Sequence, residues 1–263
     1  MSMHTTQSKD GTKLAYDVYG SGPPLLYITG ATCHRTFKPV IHDAKVFATA
    51  FTVYSYDRRG RGDSGNSLPY SIDREIEDVE AMIEAAGGTV YVYGHSSGAV
   101  LALEAALRLS SNVSKIVLYD APYVSNAQDK VEYERLSHSV HKLLDAGNNG
   151  DAMLLFLKGI GMPRLFVRLL PLFPGWRKIK ALAPTLAYDI ALTKDLPPVE
   201  RASQLSVPTF IVVGEKSPAA IHDVSRQLAG AIPHAERMQL AGQNHMVSPK
   251  KMLPLLLDFF ELN

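Results

Sequence analysis

Cysteine is almost absent from this chain: Cys33 is the single one in 263 residues. One thiol excludes an internal disulfide and a zinc site built on cysteines. An excess of one charge is missing too. Lys and Arg number 27 against 26 Asp and Glu, a formal net charge of +1. The charge balance therefore points to neither a nucleic acid nor an anionic membrane as partner. No apolar run approaches the roughly 20 residues that a membrane span needs. The opening Met1-Ser2-Met3-His4-Thr5-Thr6 is polar and lacks the apolar core of a secretory signal. A reducing, cytoplasmic setting is the expectation. Internal repeats and low-complexity tracts are lacking as well.

What is present is the composition of a globular protein, with 46% hydrophobic and 20% charged residues. The chain is long enough for one large domain or a core with an inserted cap. Short β-branched and aromatic runs alternate with helical stretches. Strands are predicted at Lys13–Tyr19, Pro24–Ile28, Phe51–Tyr56, Thr89–Tyr93, Lys115–Tyr119, Pro208–Val213 and Glu236–Leu240. The first alternates with period two, as an edge strand or hairpin arm does. Helices are predicted at Asp73–Ala86, Ala99–Leu109, Ala219–Ala229 and Pro249–Leu262. This alternation predicts an α/β fold, a mostly parallel sheet covered by helices on both faces.

Residues 121–200 break the rhythm. They are helical, apolar and punctuated by Pro163, Pro171, Pro174, Pro184, Pro197 and Pro198, with no strand. The expectation is a helical cap inserted between core segments 1–120 and 201–263. Lys158, Arg164, Arg168, Arg177, Lys178 and Lys180 read as a solvated face. Met153 and Phe156 are candidates to line a substrate pocket, although plain packing of the cap is the better explanation of either one taken singly.

Gly94-His95-Ser96-Ser97-Gly98 carries the strongest chemical signal. It is a G-x-S-x-G turn between a strand and a helix, the form of a nucleophile elbow. Small residues two before and two after Ser96 let neighbouring backbones approach. A serine hydroxyl needs a base to take its proton. His245, just past the last predicted strand, returns to the sheet edge where sites of parallel sheets lie. Gly60-x-Gly62-x-x-Gly65 matches a dinucleotide fingerprint, but no helix opens after it. It reads as a structural turn, with Asp57 and the neighbouring arginines in a local ion network.

Together with Thr29-Gly30-Ala31, Tyr56-Asp57-Arg58-Arg59-Gly60-Arg61-Gly62-Asp63-Ser64-Gly65, Val213-Gly214-Glu215-Lys216-Ser217-Pro218 and Gly242-Gln243-Asn244-His245, the elbow resembles the α/β-hydrolase superfamily. The resemblance implies an α/β-hydrolase fold with a helical cap. It implies a Ser96–His245 pair completed by an acid. The family's usual acid follows the penultimate strand in a Gly-x-x-Asp pattern, where this chain has Ser217. Asp120, at the end of the preceding strand, is then the candidate acid, as in some members. Glu215 is the alternative, and Asp223 a remote third. The backbone N–H groups of Ala31 and Ser97 are the candidate oxyanion donors. Thr32, His34 and Met246 are further candidates to edge the pocket.

The expected activity is hydrolysis of a small-molecule ester, thioester or lactone by a monomer or homodimer, with no cofactor and no metal. The same constellation also serves C–C bond hydrolysis, lyase chemistry and cofactor-free peroxidation. A ligand-binding receptor with a vestigial triad is the alternative outside enzymes.

Overall fold

The computed structural model describes residues 3–262. Alternation inside its strands sets the layers. In β3 (Pro24–Ile28), Leu25 and Tyr27 join one hydrophobic cluster while Leu26 and Ile28 join another. The same split separates Ile116 and Leu118 from Val117 and Tyr119 in β6 (Val113–Tyr119). It recurs in β7 (Thr209–Gly214), between Ile211 and the pair Phe210 and Val212. A strand that is apolar on both sides needs cover on both. On one face the cover is α2 (Ile72–Ala85), α3 (Ser97–Ala106) and α10 (Ala219–Ala231). On the other it is α1 (Lys38–Phe47) and α11 (Pro249–Phe259).

With β1 (His4–Gln7), β2 (Lys13–Tyr19), β4 (Thr52–Tyr56), β5 (Val90–His95) and β8 (Glu236–Leu240), the strands form one 8-stranded sheet of order β1-β2-β4-β3-β5-β6-β7-β8. β2 pairs antiparallel with β1 and β4, and every other pairing is parallel. The structure therefore has the α/β-hydrolase architecture. β2 is a hairpin arm rather than an edge, because β1 lies outside it. Neither β1 nor α1 was predicted. β1 is four polar residues, and α1 buries only Val40, Ala44 and Phe47.

Between β6 and β7 the elements are helical: α4 (Ala127–Asp145), α5 (Asn149–Gly159), α6 (Arg164–Leu169), α7 (Trp176–Ala181), α8 (Leu186–Thr193) and α9 (Val199–Ala202). Val140, Met153, Phe156, Val167, Leu170, Leu186 and Ile190 bury one another there in a hydrophobic cluster of their own. The six basic residues from Lys158 to Lys180 are all exposed.

The Gly60-x-Gly62-x-x-Gly65 segment is a closed turn, with the Gly60 N–H donating to Gly65 O at 2.8 Å. Asp57 pairs with Arg35 at 3.2 Å and accepts the Asp63 N–H at 2.9 Å. The expected local network is otherwise corrected. Arg58 and Arg61 reach Asp189 in α8, and Arg59 pairs with Asp78 in α2. Their acids lie on helices remote in sequence, so no local pattern reveals them.

Close backbone contact fixes where the sheet's central turn sits. A Cβ on Gly98 would lie 2.2 Å from the Ile28 carbonyl oxygen and 2.7 Å from that of Thr29. Both obstacles are backbone, so neither can rotate away. Gly98→Ala is expected to destabilise the fold by about 3 kcal/mol, the upper range for overpacking, read as a lower denaturant midpoint at unchanged slope.

Candidate active site

Parallel strands deliver their C-terminal ends to one edge of the sheet. β5 ends at His95, directly before Ser96; β6 ends at Tyr119, directly before Asp120; the loop after β8 carries His245. Ser96 sits at φ 58, ψ −131, a strained region for a side chain, and α3 begins at the next residue. Its N–H donates to Tyr119 O on the neighbouring strand at 2.9 Å. Gly30 faces it so closely that a Cβ there would lie 2.7 Å from Ser96 Cβ.

Ser96 Oγ lies 3.0 Å from His245 Nε2, and His245 Nδ1 lies 3.1 Å from Asp120 Oδ2. A carboxylate only accepts, so Nδ1 carries the hydrogen and Nε2 is free to accept from the serine hydroxyl. Asp120 is 2% exposed and also at positive φ, 48°. Besides His245 it accepts the Gly214 N–H at 3.0 Å and the Ser217 hydroxyl at 2.5 Å. Ser217, at the position where the family's usual acid stands, thus donates to the candidate acid one strand over. Glu215 is exposed and caps the Gly242 N–H at 2.6 Å instead of meeting His245. Asp223 pairs with Arg226 on α10.

Two groups that sequence reasoning passed over hold the histidine loop. The Tyr119 hydroxyl donates to Asn244 O at 2.6 Å, and His95 Nε2 donates to His245 O at 2.8 Å. The His95 ring lies 5.1 Å from that of His245. Burial, with His245 nearby, pushes the pKa of His95 down to about 4. Its place beside Ser96 was the one available signal.

A cavity of about 450 Å³ opens over Ser96. Ala31, Ser97, Phe156 and Met246 line it, with Tyr133, Ile160, Met162, Asp189, Thr193 and Lys216. Three pocket candidates do not line this cavity. Met153 is 0% exposed and packs within the helical stretch's own cluster. His34 turns its Nδ1 to Thr36 Oγ1 at 2.9 Å. Thr32, at φ 59, is not among the residues that line the cavity. Among the described residues, no group of His, Cys, Asp and Glu has the arrangement of a metal site.

Comparison with known proteins agrees with this architecture. A model of the alpha/beta hydrolase family matches residues 20–252. An alpha/beta hydrolase structure from Sphaerobacter thermophilus is 38% identical, covers 98% of this chain and 100% of its own, and superposes with a TM-score of 0.86. N-formylmaleamate deformylase from Pseudomonas putida is 31% identical over 155 residues, 57% of each chain. Proline iminopeptidase PfmaB from Pestalotiopsis fici is 29% identical over 120 residues, 41% of each. The matched stretch thus spans about two fifths to three fifths of these two curated relatives.

The depressed pKa of His95 makes stability depend on pH. The unfolded chain binds a proton near the ordinary value of 6.5, whereas the folded ring resists it down to about 4. Stability from this group is full above 6.5 and is lost as pH falls toward 4. Between pH 7 and pH 5 the wild type should lose about 2 kcal/mol that a His95→Gln variant does not. Urea unfolding of both proteins at the two pH values measures the difference.

Proposed function

The chain belongs to the alpha/beta hydrolase family, and on that premise we propose that it cleaves a carboxylic ester, thioester or lactone through an acyl-enzyme on Ser96. The observation that carries this reading is the unbroken line of hydrogen bonds from Ser96 Oγ through both His245 nitrogens to Asp120. Ser96 Oγ attacks the carbonyl carbon as His245 Nε2 takes its proton. Asp120 holds the Nδ1–H tautomer and stabilises the imidazolium that forms. Negative charge grows on the carbonyl oxygen, and the backbone N–H groups of Ala31 and Ser97 receive it. His245 returns the proton to the leaving group. A water, deprotonated by the same nitrogen, then releases the acid.

The helical stretch 121–200 acts in this reading as a cap, since Tyr133, Phe156, Ile160 and Met162 wall the cavity from that side. An apolar lining favours a small to medium hydrophobic acyl group. Amides form a second substrate class, favoured by the relatives named as a deformylase and an iminopeptidase.

Ser96→Ala should reduce turnover of an activated ester by at least about 10⁴-fold without shifting the unfolding midpoint. Labelling of the wild type by a fluorophosphonate should fall on Ser96. A protein that neither turns over the ester nor takes the label would instead be a binding module. Asp120→Asn is expected to lower kcat by about 10³- to 10⁴-fold, and Glu215→Gln to leave it within about twofold. The reverse ranking would move the acid to Glu215. A panel of esters, lactones and amides of increasing acyl length then ranks the substrates.

A further inference from the structure

Beside the Ser96 turn, and reaching the cavity wall through Asp189, lies a buried charge cluster to which the reaction above assigns no part. Arg58, Arg61 and Asp189 are each 1% exposed and Glu75 is 0% exposed. Arg61 Nη2 donates to both Asp189 oxygens, at 2.9 and 2.8 Å, and Arg58 Nη1 donates to Oδ1 at 3.0 Å. Arg58 Nε pairs with Glu75, so two cations meet two anions. Burial alone would raise the Asp189 pKa, but Arg61 and Arg58 outweigh it and hold the carboxyl below its ordinary value. Stability does not explain the cluster. Buried ion pairs gain little over well-packed apolar side chains, and Arg58 Nη2 and Arg61 Nε have no partner among the described residues.

The cluster's other bonds run to the backbone around the nucleophile. Arg61 Nη1 donates to Gly30 O at 2.8 Å. That carbonyl shares one planar trans peptide with the Ala31 N–H, so the two point in opposite directions. Holding the oxygen on Arg61 turns the N–H to the other side, and polarisation through the peptide strengthens it as a donor. The Ser97 hydroxyl donates to Asp189 Oδ1 at 2.7 Å and accepts from Arg58 Nη1 at 3.2 Å. This clamps the first residue of α3, whose own N–H has no partner within the helix.

We propose that Asp189 is a positioning residue for the oxyanion site: through Arg61 and through Ser97 it orients the two backbone N–H groups that receive the developing charge. The assignment rests on the serine-hydrolase reading. It gives the helical stretch a part in catalysis beyond walling the cavity, because one carboxylate from α8 orders both donors.

Asp189→Asn keeps the side chain's shape and removes its charge. We expect kcat for an activated ester to fall about 10- to 100-fold, less than loss of a whole oxyanion donor, with KM within about threefold. Affinity for a trifluoromethyl ketone, which forms a charged hemiketal on Ser96, should fall by the same factor as kcat. The acid limb of the pH profile should keep its midpoint, since His245 and Asp120 are untouched. Independently of turnover, the Gly30 carbonyl ¹³C resonance should move upfield as its hydrogen bond to Arg61 weakens. Ser97→Ala retains the backbone N–H, loses the hydroxyl's bonds to Asp189 and Arg58, and should lower kcat and ketone affinity together by a smaller factor, which keeps the test open if Asp189→Asn fails to fold. Asp78→Asn breaks the buried pair with Arg59 and should cost stability with kcat unchanged. Variants at Asp189 and Ser97 that lose stability but keep kcat, ketone affinity and the Gly30 resonance would overturn the assignment alone. A wild type that forms no adduct on Ser96 would overturn the serine-hydrolase reading, and this assignment with it.

Discussion

The backbone at Ser96 stands at φ 58, ψ −131, and the surrounding architecture is what keeps it there. Such a conformation costs about 1–3 kcal/mol and persists only where neighbours over-determine it. Here they do so at van der Waals contact. A Cβ on Gly94 would fall 2.6 Å from Ala99 Cα, one on Gly98 would strike the Ile28 carbonyl, and one on Gly30 would meet Ser96 itself. All ten residues of α3 are buried, so the helix that the turn launches cannot shift outward to relieve it. Asp120 is held in the same way at the end of the adjacent strand, with φ 48. The Ser96 N–H bond to Tyr119 O ties the two strained ends together. Strain at both positions serves geometry, because it aims two side chains from neighbouring parallel strands at one imidazole.

The position of the proposed acid follows from charge. Asp120 gathers three donors, the Gly214 N–H, the Ser217 hydroxyl and His245 Nδ1–H. A second carboxylate at 217 would crowd two negative charges into one buried space and force a proton onto one of them. A hydroxyl donates to the acid and leaves it as the single anion facing His245. Ser217 is therefore the complement that an acid at 120 requires. The carbonyls of Asn244 and His245, pinned by Tyr119 and His95, fix the imidazole from the backbone side.

Much of this was legible in the sequence, for reasons that differ by residue. The elbow announces itself because strand, small residues and helix must follow in that order. Its partner His245 is legible by place, since the loop after the last strand of a parallel sheet has one edge to return to. Asp120 was reachable through family likeness and its strand-end position. Thr32 and His34 were placed on the pocket by their nearness to Ala31 in sequence, whereas the structure sets Thr32 at φ 59, turns His34 to Thr36 and lines the cavity with neither. Met153 and Phe156 read alike in sequence, and both join the hydrophobic cluster around helix α5, yet the second alone of the two has a place on the cavity wall. The charge cluster was illegible for a plainer reason. Arg58 and Asp189 are 131 residues apart, and Asp189 sits in a helix that otherwise reads as apolar.

That long-range pairing also decides how the helical stretch is attached. α8 is rooted in the core by a carboxylate 1% exposed, and Tyr188 beside it stacks on Tyr70 at 4.0 Å. Separating α8 from the sheet would strand the Arg61 guanidinium without a counter-ion and leave Arg58 with Glu75 alone, a loss of about 3–5 kcal/mol for a broken buried pair. Residues 160–173 have no such root: Ile160, Leu165, Leu172 and Phe173 are all exposed, and Ile160 stands on the cavity wall. The stretch is thus held by buried charge at α8, beside Ser96, and by apolar contact at Val167 and Leu170. The end that touches the proposed oxyanion donors is the one that buried electrostatics hold still.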